Sequence, residues 1–130
     1  MKIHLVEDNP DMLESLRMLL ELRGYRVRAY LRALDLVDAL ASVEAEDVVV
    51  SDYYLPDMNG VELLRRLRTR HPHLRAVLLT GSREEEIAAS AQTLRNCTVL
   101  YKPLDFDALE RGMFDLHPVD PRRAARPRAA

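Results

Sequence analysis

The chain has little of what usually staples, anchors or tethers a protein. Its 130 residues include one cysteine, Cys97. That excludes an intrachain disulfide framework and a Cys-x-x-Cys metal pair, and leaves a buried, inert thiol as the expectation. No apolar run approaches the roughly 18 residues needed to span a membrane. The apolar part of the opening "MKIHLVEDNP" is too short for a signal peptide. The expected location is therefore the cytoplasm, with no membrane partner. Neither sign of charge dominates: 19 Lys and Arg stand against 21 Asp and Glu, for a net charge of -2. That balance argues against non-specific nucleic-acid binding by the body of the chain. There is no internal repeat. What is present, 48% apolar and 31% charged residues in a length typical of one domain, predicts one globular unit with a normal core.

Short apolar runs alternate with amphipathic stretches. Residues 3–6 (IHLV) read as a strand. Residues 9–24 read as a helix with Asn9 as N-cap, Pro10 at the first helical position and Gly24 closing the C-terminus. Met12, Leu13, Leu16, Leu19 and Leu20 recur there at helical spacing. Residues 26–30 alternate as a half-exposed strand, and 34–43 form a weaker amphipathic helix. Strand 48–51, helix 61–68 with Val61, Leu64 and Leu67 on one face, and strand 75–80 follow. A polar helix over 83–94 carries Glu84, Glu85 and Glu86 at its favourable N-terminal end. Strand 98–101 and helix 106–116 complete the pattern. Five strands alternating with five helices imply a parallel sheet covered on both faces. Residues 1–117 are expected to form the domain. The "PVDPRRAARPRAA" of 118–130, rich in proline and arginine without apolar period, reads as a basic tail or the start of a linker.

In an open parallel sheet, ligands sit beyond the carboxyl ends of the strands. The first strand delivers Glu7 and Asp8 there, the third Asp52, the fourth Thr80 followed by Gly81 and Ser82, and the fifth Lys102 followed by Pro103. Carboxylates gathered this closely repel one another, so the cluster calls for a hard divalent cation. Oxygen-only chemistry with few protein ligands favours Mg²⁺. A lysine and a hydroxyl facing that cation leave room for phosphoryl oxygens, and the central carboxylate can then act as a nucleophile. The histidines point to no site; His71 and His73 in "HPH" lack metal-ligand spacing.

"EDNP" after the first strand, "SDYYLPDMNG" after the third, "TGS" after the fourth and "YKP" after the fifth together resemble the receiver domain of two-component response regulators. The resemblance spans about residues 2–116, and Pro56 and Gly60 keep the family's spacing from Asp52. It implies a flavodoxin-like (βα)5 fold with strand order 2-1-3-4-5. It also implies Asp52 as phosphoacceptor from a sensor histidine kinase or phosphotransfer protein, and Mg²⁺ on Glu7, Asp8, Asp52 and the backbone carbonyl of Tyr54. Thr80 would move toward the phosphoryl group, and Lys102, often followed by a cis proline bond in this family, would pair with Asp52 and then the phosphate. The implied outcome is a phosphorylation-controlled interaction surface for an effector, with homodimerisation possible and no direct DNA contact by the domain. The chain would not be an enzyme acting on other substrates; it would catalyse only its own phosphorylation and slow dephosphorylation.

One position departs from the family pattern. Many receivers carry an aromatic three residues before the lysine, where this chain has Val99; Tyr101 lies on the same strand face and could partly substitute. Tyr54, bulky beside Asp52, could shield an acyl phosphate from water. A metal-dependent phosphohydrolase would need an acid two residues after Asp52, where Tyr54 stands. A flavin or nucleotide site would need a Gly- or Ser/Thr-rich loop where acidic "EDNP" stands. A receiver-like domain that has lost phosphorylation conflicts with Glu7, Asp8, Asp52, Thr80 and Lys102 all being present. A stand-alone protein is the favoured organisation, with a piece of a DNA-binding transcriptional regulator as the alternative.

Overall fold

The computed structural model describes residues 1–81, 85–92 and 94–114. Strands β1 (Lys2–Val6), β2 (Arg26–Tyr30), β3 (Val48–Asp52), β4 (Arg75–Thr80) and β5 (Cys97–Tyr101) alternate with helices α1 (Pro10–Leu22), α2 (Ala33–Asp38), α3 (Gly60–Leu67), α4 (Glu85–Gln92) and α5 (Phe106–Phe114). All strand pairings are parallel, in the order β2-β1-β3-β4-β5. The parallel sheet covered on both faces is what the alternation of elements implies, and its order is the flavodoxin-like, doubly wound one implied by the resemblance to receiver domains.

The two faces of the sheet are filled by different side chains because successive strand residues point to opposite sides. Ile3, Leu5, Val48, Val50, Val77 and Leu79 pack against α1 and α5 through Leu13, Leu20, Leu109 and Met113. Val6, Val49 and Ala76 pack against α2 and α3 through Ala33, Leu36, Leu63, Leu64 and Leu67. A third cluster joins Tyr53, Val61 and Leu78 to Ile87 of α4. Each fully buried leucine contributes about 2–3 kcal/mol of transfer free energy. The central strand β3 is buried along its whole length, which is why "VVVS" carries no exposed face.

Local signals set the ends of α1. Asn9 is extended and its side chain accepts the Asp11 and Met12 amides, Pro10 opens the helix, and Gly24 takes φ +91 beyond its end. Two details differ from the sequence reading. Met12 and Leu19 of α1 are about half exposed, at 46% and 50%, because the sheet covers only the narrow stripe through Leu13 and Leu20, with Leu16 packed at its margin. The helix expected over 34–43 ends at Asp38 and gives way to a short 3-10 turn, Leu40–Ser42. There the Ser42 hydroxyl bonds the Ala39 carbonyl and competes with α-helical pairing. Of the helix expected over 83–94, residues 83, 84 and 93 lie outside the described residues, as do Ser82, the end of the helix expected over 106–116, and the whole tail 118–130. No helix among the described residues is long and apolar enough to cross a membrane.

Candidate functional site

The carboxyl ends of β1, β3, β4 and β5 bring Glu7, Asp8, Asp52, Thr80 and Lys102 to one rim. Glu7 follows β1 directly. Its amide donates to the Tyr30 carbonyl at 3.1 Å, and its Oε2 accepts the Asn9 amide at 3.1 Å. Asp52 is the last residue of β3 and only 7% exposed, whereas Asp8 faces solvent. One carboxylate oxygen from each of Glu7, Asp8 and Asp52 lies within 4.8 Å of the others.

Lys102 reaches this cluster from beyond β5. Its amide donates to the Thr80 carbonyl at 2.8 Å, and its peptide bond to Pro103 is cis. Nζ stands 3.0 Å from Asp52 Oδ1 and 3.5 Å from Glu7 Oε1. The contact to Asp52 is an ion pair off the line of a hydrogen bond, so the buried Oδ1 has no hydrogen-bond donor aimed at it. Three carboxylates therefore face one ammonium. Burial and then the neighbouring Asp52 push Glu7 above the usual carboxylate range, against the Asn9 amide that pulls it down. Hydrogen bonding to Glu7 and then burial push Asp8 upward. Burial opposes the charge of Lys102, but Asp52 and Glu7 outweigh it and hold its pKa above the ordinary value. The surplus of acid, the oxygen-only donor set and the orphaned Oδ1 fit a hard divalent cation of the Mg²⁺ type.

The loop from β3 to α3 is fastened at its root. The Tyr53 amide bonds the Leu79 carbonyl at 2.8 Å, and the Gly60 amide bonds the Tyr53 carbonyl at 2.7 Å. Tyr54 and Asn59 form an antiparallel bridge, and the Asn59 side chain caps α3 through the Glu62 amide at 2.8 Å. Position 60 is crowded enough to favour glycine. A Cβ there would sit 2.8 Å from Leu78 Cδ2 and 3.1 Å from the Asp52 carbonyl oxygen. The Tyr54 ring is 53% exposed and meets Tyr53 edge-on, with ring centroids 4.8 Å apart.

Thr80 is buried at the end of β4 and is the register partner of Tyr101. Val99 packs against the cluster of Tyr53, Val61, Leu78 and Ile87. Val99 is half-buried at the margin of that cluster, and Tyr101 is the aromatic beside Thr80. Cys97 is half-buried and its thiol is pushed up to about 11 by burial, which keeps it protonated and inert.

Sequence reasoning missed two polar groups. Asp57, in the β3–α3 loop, accepts the Ala33 and Leu34 amides at the start of α2. His4, in the middle of β1, is fully buried and its Nε2 lies 2.9 Å from Asp47 Oδ2. A histidine inside a strand flanked on both sides was the available signal for the second, since such a strand hides both faces.

The chain matches the description "Response regulator receiver domain" over residues 3–113. It is 31% identical over 107 residues to the transcriptional regulatory protein FixJ of Azorhizobium caulinodans, covering 82% of this chain and 50% of that protein. It is 36% identical over 108 residues to the response regulator protein FleR of Pseudomonas aeruginosa, covering 83% of this chain and 23% of that one. The chain thus spans about half the length of FixJ and about a quarter of FleR. Among solved structures, FixJ-N superposes with a TM-score of 0.74 at 28% identity, covering 86% of this chain and 92% of that one. The chemotaxis protein CheY4 of Vibrio cholerae shares the fold, with a TM-score of 0.79 at 19% identity over 88% of this chain and 97% of that one. By sequence and by fold, this chain belongs to the receiver domain family of response regulators.

Proposed function

We propose that this domain accepts a phosphoryl group on Asp52 from the phosphohistidine of a sensor kinase or phosphotransfer protein. The acyl phosphate then resets a surface for a downstream effector. The observation that carries the reading is Asp52 Oδ1: buried, 3.0 Å from Lys102 Nζ, beside two further acids, and without an aimed donor. A structural carboxylate would have its lone pairs filled; a nucleophile awaiting its partners would not.

Glu7, Asp8, Asp52 and the backbone carbonyl of Tyr54 would hold Mg²⁺. When bound, Mg²⁺ supplies charge neutralisation for the carboxylates and for the incoming phosphoryl oxygens. A carboxylate oxygen of Asp52 forms the new bond to phosphorus as the bond from phosphorus to the histidine nitrogen breaks. The leaving electron pair stays on that nitrogen. Lys102 exchanges its pairing with Asp52 for a phosphoryl oxygen, and Thr80 moves toward another. Tyr54, two residues after Asp52, would slow attack by water on the acyl phosphate. Residues 1–117 act as one unit in the cytoplasm, with 118–130 as tail or linker. The unit works on its own aspartate alone and dimerises on phosphorylation. The matches to FixJ, a transcriptional regulatory protein, and to NtrC of Escherichia coli, a DNA-binding transcriptional regulator, favour a second reading, in which the output is transcriptional and is delivered through a DNA-binding unit.

Intact mass after incubation with Mg²⁺ and acetyl phosphate tests the proposal. One added phosphoryl group is expected, lost in Asp52→Asn and in the absence of Mg²⁺. No adduct, together with no beryllofluoride complex, would overturn it.

A further inference from the structure

We infer that Asp57 is a positioning residue for the cation site: by tying the β3–α3 loop to the start of α2, it sets the affinity of the Glu7–Asp8–Asp52 cluster for a divalent cation. The inference rests on reading that cluster as a Mg²⁺ site.

Helix α2 needs help at its first turn. Its N-cap residue, Arg32, is extended at φ -136 and ψ 151 and makes no capping bond with its side chain. The opening amides of a helix have no partner within it. They are satisfied from elsewhere in the chain. Asp57 Oδ1 accepts the Ala33 amide at 3.2 Å, 24 positions away, and Oδ2 accepts the Leu34 amide at 2.8 Å, 23 positions away. Both carboxylate oxygens are committed to two consecutive amides of one helix. Burial works against the charge of Asp57, but the Leu34 and Ala33 amides prevail and hold its carboxyl below the usual range, so the tether is ionised at neutral pH.

What the tether grips is rigid. Ala33 and Leu36 of α2 are fully buried against Leu63, Leu64 and Leu67 of α3 and against β1 and β3. Leu55 and Met58, on either side of Asp57, pack onto the same cluster. The loop is thus held at its root by the Gly60–Tyr53 bond and the Tyr54–Asn59 bridge, and at its tip by Asp57. Both attachments lie within eight residues of Asp52. A carboxylate cluster binds a cation tightly only if its ligands are held in place before the ion arrives, and supporting groups outside the ligand shell carry a large share of that affinity. Asp57 is the acid of this loop, stands outside the Glu7–Asp8–Asp52 cluster, and gives both of its carboxylate oxygens to a docked helix.

The test compares two variants of the full chain that both loosen α2, only one of which cuts the tether. Asp57→Ala removes both loop-to-helix bonds. Leu36→Val weakens the packing of α2 and leaves Asp57 in place. Mg²⁺ binding is followed by isothermal titration calorimetry at a temperature where circular dichroism shows all proteins folded, and stability by urea unfolding. The expectation is a Mg²⁺ dissociation constant raised about tenfold in Asp57→Ala and within about twofold of wild type in Leu36→Val. An unchanged constant in Asp57→Ala overturns the inference. So does an equal rise in Leu36→Val, which would make Asp57 only a helix cap. Wild type that binds no Mg²⁺ would instead sink the cation reading, and the inference with it.

Discussion

Asp47 and Asp52 stand at opposite ends of the same buried strand region, and the fold treats them in opposite ways. Asp47 precedes β3 and is 1% exposed. Its Oδ1 accepts the Lys2 amide at 2.9 Å, and its Oδ2 accepts the Glu44 amide and His4 Nε2, each at 2.9 Å. Because the carboxylate can only accept, His4 carries its proton on Nε2, and Nδ1 is left to accept the Tyr30 hydroxyl at 3.2 Å. Burial is the largest force on both groups. It lowers His4 despite Asp47, and at Asp47 it is outweighed by the Glu44 amide, His4 and the Lys2 amide, so that carboxyl lies below its usual range. Asp52, nearly as buried, has two acids and one ammonium for neighbours and an oxygen with no aimed donor. Burial of a carboxylate therefore does not by itself set Asp52 apart. What sets it apart is an oxygen without an aimed hydrogen bond and a local surplus of its own charge.

The comparison can be broken in several ways. The largest effect is expected from Asp47→Ala, which strands two amides and the His4 Nε2 proton. It should cost about 3–5 kcal/mol in urea unfolding and leave the Mg²⁺ dissociation constant unchanged; a weakened Mg²⁺ affinity would show that the two ends are coupled. Gly60→Ala should do both. The added Cβ meets Leu78 and the Asp52 carbonyl, so a stability loss of about 1–3 kcal/mol should come with weaker Mg²⁺ binding. Adding Mg²⁺ at ten times its dissociation constant should stabilise wild type by about 1.4 kcal/mol. Asp52→Asn should lose most of that gain, whereas Asp47→Ala should keep it.

The pH dependence should separate the two ends by sign. His4 is held below its ordinary 6.5, so its share of stability is complete above that pH and is lost as pH falls below it. Asp47 is held below 3.8 and acts in the same direction at lower pH. Glu7 is held above 4.5. Its contribution is complete below that value and is lost as pH rises through the elevated pKa of the folded state. In Mg²⁺-free buffer, His4→Gln should flatten the urea midpoint just below pH 6.5, and Glu7→Gln should flatten it just above pH 4.5. A Glu7→Gln profile identical to wild type would mean that the acid cluster is not strained.

Most of the architecture was legible because each element announces itself locally. Strands 26–30 and 75–80 match β2 and β4 residue for residue, for different reasons: β4 is buried between helices and carries a continuous aliphatic run, whereas β2 lies at the sheet edge and keeps the alternation of a half-exposed strand. Asn9, Pro10 and Gly24 mark the ends of α1 by capping chemistry alone. Helix α2 was harder to read at its end: the helix expected over 34–43 starts one residue early, at Ala33, but stops at Asp38 and gives way to the Leu40–Ser42 turn, while its first turn is capped by Asp57, more than twenty positions away. Leu19 and Met12 were misjudged because helical period says which residues share a face, not how wide a stripe the neighbouring sheet covers.

The candidate site divides along the same line. Glu7, Asp8, Asp52, Thr80 and Lys102 follow from the sequence by itself, because each comes at the carboxyl end of a strand and parallel topology sends all those ends to one rim. Family membership follows from the same residues at the same spacings. Only the tertiary structure decided that Asp52 Oδ1 has an ion pair but no aimed hydrogen bond, that Asp47 is fully satisfied, and that Asp57 fastens a loop to a helix. The physical reason is distance along the chain. A strand or a cap is specified by neighbours within a few residues, whereas the state of a buried charge is set by partners that folding delivers from 20 to nearly 100 positions away.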